Sequence, residues 1–108
     1  MEYIMRERII EKMKETSEYI FSYPEISGQE KKSSRALARF LDREGFSVTW
    51  GIAGFDTAFL AQWGEGEPVI GFLAEYDALP ALGQEACSEY KPTGRPGHGC
   101  GHNLLGTA

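Results

Sequence analysis

From Glu2 to Ser22, apolar residues fall at Met5, Ile9, Met13 and Ile20, with Thr16 between them. This is the i, i+4, i+3 rhythm of one helical face, and Glu7, Glu11, Lys14, Glu15 and Glu18 take the other side. The spacing predicts an amphipathic helix, which Pro24 ends by biasing Tyr23 away from helical backbone. Ser27-Gly28-Gln29-Glu30 has the form of a capping box, with the Ser27 hydroxyl accepting from the Glu30 amide. It predicts a second helix running to residue 44, burying Leu37, Phe40 and Leu41, with Gly45 as its stop. The period then falls to two. Phe46, Val48 and Trp50 alternate with Ser47 and Thr49, predicting a half-buried strand. After a turn over residues 51–54, the β-formers of residues 55–63 predict a second strand, and residues 64–68 turn again.

Residues 69–74, Val-Ile-Gly-Phe-Leu-Ala, are apolar throughout. A strand buried on both faces, in the middle of a sheet covered by helices, reads this way. At its end the polarity switches abruptly to Glu75-Tyr76-Asp77. Side chains at i and i+2 of an extended segment share a face, so Glu75 and Asp77 point the same way where the strand emerges. In open α/β sheets ligands sit outside the carboxyl ends of strands. By themselves, two such carboxylates are better explained as caps for the following turn. The expected fold class is therefore α/β: two N-terminal helices, then a mixed sheet with a central buried strand.

The irregular stretch 81–96 leads to Pro96-Gly97-His98-Gly99-Cys100-Gly101-His102-Asn103. Both histidines of the chain lie here, with one of its two cysteines. If this run is extended, His98, Cys100 and His102 share one face. Imidazole and thiolate are the donors that zinc and related divalent metals prefer. Against this, Cys100 reads equally as an inert thiol and the histidines as ordinary loop residues, because a metal site wants three or four protein ligands. Asn103 is placed to cap a short helix beginning at Leu104.

Charge narrows the choice of partner. Residues 1–46 carry nine Lys/Arg and nine Asp/Glu, so the whole net charge of −5 lies in residues 47–108. An acidic surface argues against nucleic acid, and no apolar run is long enough to span a membrane. The charged, interrupted first residues do not resemble a signal peptide, so the two cysteines point to a reducing, cytoplasmic setting, with a Cys87–Cys100 disulfide the less favoured alternative. At 108 residues the chain holds at most one domain.

Asp77-Ala78-Leu79-Pro80 after an apolar strand, followed by a loop to Gly97-His98-Gly99-Cys100-Gly101-His102-Asn103, resembles the aminoacylase/carboxypeptidase family of metallohydrolases. Within it the resemblance is to the amidohydrolase branch, nearest the aminobenzoyl-glutamate-hydrolase-like members. The order of helix, Tyr23-Pro24-Glu25-Ile26-Ser27, helix and strand is also similar to that family's opening. The resemblance implies that residues 1–108 are the N-terminal part of a single zinc-exopeptidase-like α/β/α catalytic domain. It implies Cys100 and His102 as metal ligands and Asp77 as the carboxylate that supports or orients the metal centre. Glu75, His98 and Asn103 would lie behind the ligands, with Asn103 standing where much of the branch has Asp. The cofactors implied are divalent metal ions, as a pair of zinc or manganese. The substrate implied is an N-acyl amino acid or small peptide, hydrolysed at its amide bond, in a protein compatible with homo-oligomerisation at full length. The remaining ligands and the general base would lie beyond Ala108, so the 108 residues alone are expected to be inactive. Two other classes remain open on the sequence: a non-enzymatic metal-binding or regulatory module, and an enzyme using Cys100 as nucleophile beside His98 or His102.

Overall fold

Helix α1 spans Glu2–Ser22, as its periodicity predicts, in a computed structural model that describes residues 1–108. Ser17 and Ile20 are buried, and Ile9, Met13 and Thr16 are half-buried. Met5, on the same face, is exposed. The reason is length: helix α2, Lys31–Arg43, has 13 residues against 21 in α1 and runs antiparallel to it. Arg8 of α1 meets Glu44 at 3.1 Å, just past the C-terminal end of α2, so the turns of α1 before Arg8 project beyond their partner.

The start of α2 differs from the expected capping box. Glu30 occupies the cap position but makes no capping bond. The carboxylate of Glu25 does so instead, accepting from the Lys32 amide at 3.0 Å and the Ser33 amide at 2.7 Å. A turn closed by the Gln29 amide on the Ile26 carbonyl, at 2.9 Å, brings Glu25 back over the helix end. A full negative charge at the positive end of a helix outcompetes a hydroxyl. At the other end Gly45 stops the helix as predicted: its amide bonds the Asp42 carbonyl, and the Phe46 amide bonds the Leu41 carbonyl. Leu37 is buried with Ala38, whereas Phe40 and Leu41 are half-buried.

Strands β1, Ser47–Trp50, and β2, Phe59–Gln62, pair antiparallel with Ser47 opposite Gln62 and Trp50 opposite Phe59. The second strand is shorter than its composition predicts, because residues 55–58 are used in the turn that closes the hairpin. Both strands pack on α2. Mixed α/β is thus the fold class, with helices first and strands after. The expected central strand is the main departure. Residues 69–74 pair with no strand, and Val69, Ile70, Phe72 and Leu73 are exposed, Phe72 by 92%. A strand is stabilised by neighbours that take up its backbone polar groups and layers that cover its faces. No other segment of these 108 residues supplies either. No helix is long and apolar enough to cross a membrane.

Candidate metal centre

The segment after the apolar run is held by isolated backbone pairings to distant parts of the chain. The Ala78 amide donates to the Glu25 carbonyl at 2.7 Å, and Leu79 and Gly97 exchange two backbone bonds at 2.9 and 3.0 Å. Asp77 is thereby held beside the bridge between Leu79 and Gly97, from which the chain runs on into residues 98–102. There the chain turns: the Gly101 amide bonds the His98 carbonyl at 3.0 Å, and Gly101 takes a positive φ of 70° that a side chain would resist. Helix α3, His102–Leu105, begins immediately after.

This turn overrides the extended backbone expected for the Gly/His/Cys run, so its three side chains do not share a face. His98 points back to α1, its Nε2 donating to the Ile20 carbonyl at 3.2 Å, and its Nδ1 is buried without a partner. Burial pushes the His98 pKa below the ordinary imidazole value, opposed by the bond to Ile20. Cys100 is exposed at the turn. His102 points to the carboxylates: Nδ1 donates to Asp77 Oδ1 at 2.8 Å, and Nε2 lies 3.1 Å from Glu75 Oε2. One ligand atom each from Glu75, Asp77 and His102 falls within 4.8 Å of the others. The i, i+2 spacing of Glu75 and Asp77 therefore does put both carboxylates on one side, against one imidazole.

Asn103 does not cap α3. Gly101 holds the cap position, and the Asn103 side chain is buried, its amide donating to Ser17 Oγ at 3.2 Å and to the Ser17 carbonyl at 3.4 Å. His98 and Asn103 thus dock the loop onto α1, which leaves His102 as the one residue of the run facing the carboxylates. Neither imidazole is hydrogen-bonded to Cys100, so nothing in the geometry activates that thiol as a nucleophile.

Two carboxylates and an imidazole form a donor set that suits a divalent cation of the zinc or manganese kind. Asp77 on Nδ1 fixes the tautomer that leaves Nε2 free to ligate beside Glu75, an arrangement common behind metal-bound histidines. Gly106 belongs to none of the expected ligand positions but is needed here. A Cβ at that position would run into the Glu75 carbonyl oxygen and the His102 carbonyl. Close approach of two backbones leaves no periodic trace in a sequence.

Comparison with curated proteins shows the family. The chain belongs to the amidohydrolase branch of the aminoacylase/carboxypeptidase family, among amidohydrolases and dipeptidases. It is 46% identical over 97 residues to a p-aminobenzoyl-glutamate hydrolase polypeptide of Escherichia coli, a match covering 85% of this chain and 20% of that protein. It is 35% identical over 105 residues to the Xaa-Arg dipeptidase of Mus musculus, covering 88% of this chain and 21% of the relative. The Xaa-Arg dipeptidase of Homo sapiens is 33% identical over 108 residues, with 88% and 22% covered. The chain thus spans about a fifth of the length of the relatives it matches. No family model matches it.

Proposed function

We propose that residues 1–108 are the N-terminal part of a single catalytic domain of a metal-dependent hydrolase that cleaves the amide bond of N-acyl amino acids or small peptides. The observation that carries this reading is the convergence of Glu75, Asp77 and His102 within 4.8 Å at the end of an extended segment. The names of the relatives support the substrate class. p-Aminobenzoyl-glutamate is an N-acyl amino acid and Xaa-Arg is a dipeptide, so both reactions open an amide next to a carboxylate-bearing residue.

In this reading His102 Nε2 and Glu75 are ligands, and Asp77 holds the His102 ring through Nδ1. Cys100 is a further ligand by its match to the family motif. The Cys100 thiolate, the His102 imidazole and the Glu75 carboxylate together would hold a zinc or manganese pair, with further ligands supplied by the part of the relatives' length that this chain does not span. When bound, such ions polarise a scissile carbonyl and lower the pKa of a coordinated water. The general base is proposed to lie in that same remainder. The acidic half of the chain fits an enzyme acting on small molecules rather than on nucleic acid. The two free cysteines fit a cytoplasmic setting.

The test joins residues 1–108 to the remaining portion of the Escherichia coli relative, in place of that protein's matching segment. The chimera is expected to hydrolyse N-acyl amino acids or dipeptides when supplied with zinc or manganese, to stop on chelation, and to lose activity in His102→Ala and Cys100→Ala. The 108 residues alone are expected to show no turnover. A folded, metal-replete chimera without activity, or turnover that chelators leave unchanged, would overturn the proposal.

A further inference from the structure

Glu75 and Asp77 stand beside His102 although the segment that carries them has no sheet neighbour. No backbone–backbone hydrogen bond is made by residues 64–77, and the first such bond beyond the hairpin is that of the Ala78 amide. The Ala78 anchor holds Asp77 from one side only, and Glu75, two residues further from it, needs a second one. The residue between them, Tyr76, points the opposite way in extended backbone. Its hydroxyl donates to the Thr57 carbonyl. The Thr57 hydroxyl donates in turn to Glu30 Oε2 at 2.7 Å, and both Thr57 and Glu30 are buried. The Tyr76 ring stacks on Phe59 of β2, with centroids 6.1 Å apart and planes at 17°, and Phe59 leans on Trp50 of β1 at 5.3 Å.

We propose that Tyr76 is a positioning residue: its hydroxyl, anchored through Thr57 to Glu30, fixes the Glu75 and Asp77 carboxylates about His102 and so sets the divalent-cation affinity of the cluster. This rests on the metal-centre reading above. Three features make the side chain the working tether. It lies between the two carboxylates in the chain, so any shift of Tyr76 moves both. It is the one polar side-chain link between residues 69–76 and the helix–hairpin layer. It ends on a carboxylate buried at the start of α2, a site remote from the cluster in sequence. Groups that orient ligands without touching the metal typically change affinity by about 10–100-fold when removed.

The experiment compares the 108-residue chain with Tyr76→Phe, which keeps the stacked ring and removes the hydroxyl. A second variant, Glu30→Gln, weakens the far end of the tether without touching the segment. Two readouts are taken: the ¹⁵N signals of the His102 imidazole without metal, and Co²⁺ affinity with its visible spectrum. Expected in Tyr76→Phe are displaced His102 signals and an affinity about 10-fold weaker or more, with circular dichroism unchanged. Glu30→Gln is expected to shift both readouts in the same direction by less. Unchanged His102 signals in a folded Tyr76→Phe chain overturn the tether, whatever the metal data show. Displaced signals beside Co²⁺ binding that neither Tyr76→Phe nor Glu75→Gln weakens leave Tyr76 as an anchor of His102 but overturn its role in metal affinity. They overturn the metal-centre reading as well. Loss in Glu75→Gln but not in Tyr76→Phe overturns the tether's role in affinity and leaves the metal centre standing.

Discussion

His102 is gripped from both sides, with one carboxylate on each ring nitrogen, and the other residues of its loop are turned away from it. Gly106 keeps this arrangement possible by letting the Glu75 carbonyl approach. Gly106→Ala is therefore expected to push residue 75 off His102 and weaken Co²⁺ binding about as much as loss of an orienting group, roughly 10-fold or more, while Gly71→Ala, an exposed position with open space and no left-handed backbone, leaves affinity unchanged. Tyr76 gives a pH dependence with a definite sign. Burial, helped by the negative charge of Glu30, raises its pKa from 10.0 to about 12. The folded chain holds that proton more tightly than the unfolded chain, so the stabilisation is complete below pH 10 and is lost as pH rises through about 12. Urea midpoints compared between about pH 9 and about pH 11 are expected to fall in the wild type and to fall less in Tyr76→Phe. His98 has the opposite sign: its pKa is lowered, so its contribution is present above the ordinary imidazole range and lost as pH falls below it.

At the scale of elements, α2 depends on a cap borrowed from the preceding segment. Glu25→Ala removes two charge-assisted bonds from its first turn and is expected to cost about 1–2 kcal/mol in denaturant unfolding, whereas Ser27→Ala, at the position the capping-box pattern favours, costs close to nothing. The apolar segment 69–74 is the element most at odds with its surroundings. Phe72 and Leu73 stand in solvent, next to unpaired backbone groups, which is the make-up of an association-prone edge. Phe72→Lys is expected to lower light scattering and raise the monomer fraction of the 108-residue chain without shifting its melting temperature. A lowered melting temperature would mean that the segment packs against its own chain.

For the molecule as a whole, the apolar core is small: Ile20, Leu37, Ala38 and Ala78 are its buried hydrophobic members. They join α1, α2 and Ala78, the residue next to Asp77, so core and site are mechanically one. Leu37→Ala is expected to cost about 2–5 kcal/mol, and to release the site together with the fold, seen as simultaneous loss of helical signal and of Co²⁺ binding. That coupling contrasts with Gly106→Ala, which is expected to separate the two.

Local patterns by themselves determined much of this chain. The period of 3.6 in residues 2–22, the Gly45 stop, the alternation at 46–50 and the shared face of Glu75 and Asp77 all follow from bonds and contacts within a few residues. The Asp77-Ala78-Leu79-Pro80 and Gly97–Asn103 motifs carried the family in the same way. Tertiary structure decided the rest. The Glu25 cap, the Glu30–Thr57–Tyr76 tether and the docking of His98 and Asn103 on α1 join groups that are 7 to 86 residues apart, and no spacing rule encodes such distances. The turn at His98–Gly101 split a run of evenly spaced donors, because a left-handed glycine is read only once the backbone around it is fixed. Residues 69–74 show the converse. Their composition specifies a buried strand, but burial is a property of what lies on either side, and only neighbours in space can supply it.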